Sequence, residues 1–89
     1  MNNFPFKQTK SGSVLLREFS ADVNPTELVW HHDKRDRKVA VTTGSGWMLQ
    51  MENKLPIMMK EGMTYFIPKN TYHRLLKGNS SLVLEIKEF

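Results

Sequence analysis

The sequence predicts an all-β chain folded as a small double-sheet roll or barrel, and three observations carry that prediction. Short runs rich in Val, Ile, Leu, Tyr and Phe recur at the roughly 8–12-residue spacing of small β-domains. Turn-forming residues separate the runs. No stretch sustains the 3.6-residue apolar period of a helix. Closing or stacking a sheet of such strands is one way to manage its unpaired edges.

The expected strands follow in order. The first covers residues 13–19 and ends before the turn Val23-Asn24-Pro25. The second, 26–32, stops at the charged turn Asp33 to Asp36. The third is 37–43, and Gly44-Ser45-Gly46 reads as the hairpin turn into 47–51. Glu52-Asn53-Lys54 leads to 56–59, Lys60-Glu61-Gly62 to 63–67, Pro68-Lys69-Asn70 to 72–77, and Lys77 to Ser81 to the last strand, 82–87. Residues 13–89 form a single domain in this reading. Residues 1–12 form an N-terminal arm, loosely held unless a partner subunit pairs with it as a strand at a dimer interface.

Composition bounds what the chain can be. With 89 residues and 39% hydrophobic content it is one small domain. Such a domain buries only about 60–65% of its unfolded surface, so self-association is expected. The absence of cysteine excludes a disulfide framework, a thiolate zinc site and a cysteine nucleophile. The net charge of +4 comes from 13 basic and 9 acidic residues. Its densest run, Lys34, Arg35, Arg37 and Lys38, is interleaved with Asp33 and Asp36, which marks a solvated turn rather than a nucleic-acid surface. No apolar window approaches the roughly 18 residues of a membrane span, and MNNFPFKQTK has no signal-peptide core, so a cytoplasmic protein is expected.

Strand alternation assigns faces. Arg37, Val39, Val41 and Thr43 share one side, so an inward face begins with an arginine. Residues 47–51 are mostly apolar on both faces. If His31 points inward, Trp30 points outward. An outward Trp30 beside Trp47 or Leu49 suits a homodimer contact; the alternative is that these residues fill the core of one chain.

Three histidines offer chemistry, at 31, 32 and 73. His31 and Asp33 lie two apart on one strand face, and His73 would complete a set of two imidazoles and one carboxylate. That donor set suits Fe(II), and also Mn, Ni or Zn, with coordination positions left open. The competing reading is a hydrogen-bonded core histidine without metal. Gln50 and Tyr65 are pocket candidates if their strands face inward, with Met48 and Ile67 as apolar wall. No Ser–His–Asp spacing argues nucleophilic catalysis, and no glycine-rich phosphate loop is present.

The segment Gly62-Met-Thr-Tyr-Phe-Ile-Pro68-Lys-Asn70-Thr-Tyr-His73 resembles the second motif of the cupin family, with Asn70 where the family has glycine. Asparagine is the next best residue for positive φ. The register His31-x-Asp33-x3-Arg37-x6-Gly44 matches the spacing of the first cupin motif. It departs in chemistry: Asp33 stands in the second histidine slot and Arg37 in the glutamate slot. Pro25 replaces the leading glycine, and Lys77 the closing asparagine. A second register, His32 with Asp36, keeps more ligand chemistry but puts His31 and His32 on opposite faces.

The resemblance spans about residues 25–87 and implies a double-stranded β-helix, the jelly-roll barrel, often dimeric. It implies His31 and His73 as ligands of a divalent metal (Fe, Mn, Ni or Zn) and Asp33 as substitute ligand. If the protein is an enzyme, the resemblance implies metal-dependent oxygenase or isomerase chemistry. Arg37 is the anomaly, since a guanidinium about 5 Å from a divalent ion costs about 7 kcal/mol at an effective dielectric of 20 before compensation. Arg37 either pairs with Asp33 or Asp36, or clamps an anionic small-molecule ligand bidentately. A metal-free anion-binding or sensory protein and a dimeric interaction module are therefore the alternatives.

Overall fold

The computed structural model describes residues 4–89. Two antiparallel sheets stack face to face. The larger one has the strand order β1-β2-β8-β3-β6, built from β1 (Lys7–Ser11), β2 (Val14–Phe19), β3 (Arg37–Thr43), β6 (Thr64–Ile67) and β8 (Leu82–Glu88). The smaller has the order β5-β4-β7, from β4 (Met48–Met51), β5 (Ile57–Met58) and β7 (His73–Leu76). The all-β prediction and the jelly-roll type of roll are borne out. No helix among the described residues is long and apolar enough to cross a membrane.

The alternation read from the sequence sets the core. On β3 and β8 the inward pairs Val39↔Ile86 and Val41↔Leu84 meet in register, and all four side chains are buried. Trp47, Leu49 and Met59 come against them from the smaller sheet, all at most 2% exposed. Trp47 sits where it does because Gly78 has no side chain: a Cβ there would collide with the Ser45 carbonyl and the Trp47 backbone. The indole Nε1 donates to the Ser80 carbonyl, so the polar end of this buried ring is satisfied. Trp47 and Leu49 therefore fill the core of a single chain, and the dimer contact drawn through them is corrected. Trp30 is outward and 41% exposed, covered by the Arg74 guanidinium at 4.7 Å from its ring.

Two elements differ from expectation. Residues 26–32 do not form a strand. Asn24 caps a short 3-10 turn, Pro25–Glu27, by accepting from the Thr26 amide, and Pro25 presets its first φ. Beyond that turn the chain is irregular and pairs again only at His31, in an isolated bridge to His73. Of the N-terminal arm, residues 1–3 lie outside the described residues. Lys7–Ser11 pairs with β2 of the same chain through a hairpin at Gly12, whose φ of +62° requires glycine-like freedom.

Candidate metal centre

The site begins with one pair of backbone hydrogen bonds. His31 donates to the His73 carbonyl at 3.0 Å, and His73 donates to the His31 carbonyl at 2.8 Å. A reciprocal antiparallel pair puts both side chains on the same face, and the rings meet edge to face with centroids 4.3 Å apart. Two residues on, the Asp33 carbonyl accepts from the Asn70 amide at 2.7 Å. Asn70 has φ +60°, the left-handed conformation expected where it replaces glycine. Lys69 donates its amide to Asp36 Oδ1, which latches the same turn from the other side. The extended stretch from His31 to Asp33 thus lies against the stretch from Asn70 to His73, and His31, Asp33 and His73 converge.

One donor atom from each of the three lies within 4.8 Å of the others. Both rings are oriented by backbone: His31 Nδ1 is 3.0 Å from the Val29 carbonyl and His73 Nδ1 is 2.8 Å from the Thr71 carbonyl. A carbonyl only accepts, so each Nδ1 carries the proton and a neutral ring leaves Nε2 as a bare lone pair. This is the arrangement that orients an imidazole toward a metal. His73 Nε2 faces Asp33 Oδ2 at 3.3 Å, and that buried oxygen has no hydrogen-bond partner among the described residues. Two acceptors face each other, and a proton or a cation relieves the contact. Burial works against the proton and holds the His73 imidazole below its usual value of 6.5. The Thr71 carbonyl pulls the other way, His31 lowers it again, Asp33 raises it and Arg37 lowers it. The residues present therefore fit a divalent cation.

The sign of that shift gives a measurable consequence. The unfolded chain binds more protons than the folded chain once pH drops below 6.5, so His73 destabilises the metal-free protein progressively toward the folded value. The urea midpoint of metal-free protein is expected to fall as pH is lowered through this range. His73→Gln should flatten the dependence, and an equally steep dependence in that variant would assign it elsewhere.

Arg37 lines the same cavity, but its guanidinium is already paired with two carboxylates. Nη1 is 3.2 Å from Asp33 Oδ1, while Nε and Nη2 donate to Glu88 Oε2 at 2.9 and 2.6 Å. Glu88 is its direct cross-strand neighbour on β8. Asp33 thus uses its two oxygens separately, one on Arg37 and one toward His73. Asp36, the other partner considered for Arg37, is instead bonded to Lys69. His32 turns away and packs its ring against Tyr72 at 4.7 Å.

A cavity of about 730 Å³ opens in front of the three residues, inside the size range of small-molecule sites. His31, Asp33, Arg37 and His73 lie on its wall with Ile67, beside apolar groups that include Phe19 and Leu75. Gln50, Tyr65 and Met48 are not among the lining residues. Gln50 accepts from Arg74 Nε and donates to the Lys54 carbonyl, and Tyr65 ties the sheet edges together by donating to the Met58 carbonyl and accepting from the Lys60 amide. Arg17, which sequence reasoning passed over, is on the wall. The available signal was the alternation Leu15, Arg17, Phe19, which places a cation on the inward face of β2.

No family model matches the chain, and no curated protein does either. Solved structures do. A structure of the DMSP lyases RdDddP and RnDddQII superimposes with a TM-score of 0.72 at 17% identity, over 84% of this chain and 36% of that one. Protein NMB1881 from Neisseria meningitidis matches with a TM-score of 0.65 at 14% identity, over 100% of this chain and 87% of the other. The Fe(II) form of HppE matches at 0.69 and 18%, over 94% and 50%. The fold is that of the cupins. The chain spans little more than a third of the lyase chain, and identities this low establish architecture alone. In this chain Asp33 and Arg37 stand side by side on the cavity wall, and the Asp33–Arg37–Glu88 network is how the fold accommodates a guanidinium there.

Proposed function

We propose that His31, Asp33 and His73 bind one divalent cation, which the chain uses on a small organic molecule held in the adjoining cavity. The observation that carries this is the unpartnered Asp33 Oδ2, buried and aimed at the bare Nε2 of His73, with a donor of His31 inside the same 4.8 Å cluster. When bound, the cation supplies Lewis-acid polarisation of a substrate oxygen, and iron would add oxygen chemistry. The protein's own part is orientation and exclusion. Backbone carbonyls fix both rings, Arg37 holds Asp33 in place, and the apolar wall keeps water from the bound molecule.

The Fe(II) named for one structural neighbour makes iron one of the metals to try first. Self-association, expected from the chain's size, is supported by apolar side chains left exposed at the smaller sheet, Leu55, Ile57 and Met58 among them.

Calorimetric titration of chelator-treated, tag-free protein with Fe(II), Mn(II), Ni(II) and Zn(II) tests the reading. One equivalent of at least one metal is expected to bind, and His31→Ala should weaken it by at least about 100-fold, more than loss of an outer-shell group. No saturable binding, or binding indifferent to His31→Ala, would leave a metal-free ligand-binding protein as the better account.

A further inference from the structure

Arg17 is a cation in the cavity with no anion to meet it. It projects inward from β2 between Leu15 and Phe19. Its Nε and Nη2 both donate to Gln8 Oε1, at 2.8 and 2.7 Å, and its guanidinium carbon lies 4.0 Å from the centre of the Phe6 ring. One face of the group is therefore covered and one edge is held by a neutral amide. Among the described residues, no carboxylate lies within the 4.0 Å of an ion pair, and Nη1 makes no hydrogen bond. Burial and the nearby Arg37 push its pKa down from 12.5 to about 10, against the pull of Asp33 and Glu88, so it is still charged at neutral pH. An orienting clamp around a charge without a counter-ion, on the wall of a cavity, is costly unless a ligand completes it.

We infer that Arg17 anchors the carboxylate of a small organic acid in this cavity, with its apolar body against Phe6, Phe19 and Leu28. Arg37 does not share the task, because Asp33 and Glu88 already supply it with two carboxylate counter-ions. One free guanidinium matches a monoanion, whereas a dianion would leave charge uncompensated against an apolar wall. The anchor and the three metal-binding candidates lie on one cavity, so the acid would be held by its carboxylate with the rest of the molecule available to the cation. That last step rests on the metal reading; the anchoring does not.

Hexanoate and its neutral counterpart hexanamide are the probes, titrated by NMR into chelator-treated protein and again into protein loaded with Zn(II). Hexanoate is expected to bind at least about tenfold tighter than hexanamide in both forms, the scale of one charge-assisted hydrogen-bonded pair. Arg17→Met, which keeps the stem over Phe6, should reduce hexanoate to the level of hexanamide, and Arg17→Lys should retain part of the preference. Equal binding of the two probes, or an unchanged preference in Arg17→Met, overturns the inference. Should Arg17→Met fail to fold, the ratio of the two probes in the unmodified protein decides. Preference without metal uptake would sink only the metal centre, and metal uptake without preference only the anchor.

Discussion

Asp33→Asn is expected to abolish metal binding while leaving the metal-free protein about as stable as before. The amide keeps the carboxylate's shape, so its oxygen can still sit beside Arg37 Nη1, 3.2 Å from Asp33 Oδ1. Its NH2 group then faces His73 Nε2 across the 3.3 Å gap and supplies the donor that the carboxylate lacks. The variant exchanges an acceptor–acceptor contact for a hydrogen bond, a gain of about 1 kcal/mol that offsets the weaker pairing with Arg37. Asp33→Ala makes the contrast. It removes one of the two carboxylates on a guanidinium only 14% exposed, and a loss of about 2 kcal/mol is expected, less than for a fully isolated buried pair because Glu88 remains. Both variants should lose at least about 100-fold in metal affinity. Urea unfolding with and without Zn(II) separates the effects. If Asn costs as much stability as Ala, or still takes up metal like the unmodified protein, the arrangement at Asp33 is purely structural.

Trp47→Ala should bring the domain close to unfolding. The side chain is 0% exposed, packs on Phe19 with ring centres 5.6 Å apart, and satisfies the Ser80 carbonyl. Truncation leaves a cavity beside Gly78 and strands that carbonyl, a combined loss of about 4 kcal/mol. A chain of this length has a total stability of only about 4–13 kcal/mol. Trp47→Phe keeps most of the packing and should cost about 2 kcal/mol, chiefly the indole hydrogen bond and some volume. Trp30→Ala removes an exposed ring and an exposed cation–π contact, and should change stability by about 0.5 kcal/mol. Thermal melts of the three proteins check the ranking; a melt for Trp47→Ala within a few degrees of the unmodified protein would show that the core does not depend on this ring.

How much of the molecule is legible in its sequence depends on the range of the forces involved. Strand alternation is local, so residue order alone places Val39 and Val41 inward, whereas the left-handed turn at Asn70 is legible only through the family motif in which it replaces glycine. The convergence of His31 and His73 follows from spacing combined with family resemblance, and the reciprocal backbone pair is its physical basis. The apolar run around Trp47 misleads, because Trp47 and Leu49 share the one face turned into the core, while Met48 and Gln50 on the opposite face are only half-buried. Arg37 is ambiguous for a different reason. Its second counter-ion, Glu88, is 51 residues away and becomes a neighbour only through the β3–β8 register. The expected choice between Asp33 serving the arginine and serving a metal also dissolves, since a carboxylate has two oxygens that can face different ways. Arg17 is hidden in the sequence because Gln8 and Phe6, which orient it, belong to an N-terminal arm whose residues read as loosely held.

The connection between β2 and β3 carries its own kinetic consequence. From Ser20 to Asp36 this stretch joins the sheets through a lone bridge at His31 rather than a continuous ladder. The segment is also held by the Asn70 amide on the Asp33 carbonyl, the Lys69 amide on Asp36 and the buried Val23, so opening it breaks these contacts together with the bridge. An ion gripping residues on both sides of that bridge would act as a rivet, so occupancy and the closed state of the segment reinforce one another. The same two histidines would then both join the segment to the smaller sheet and hold the ion.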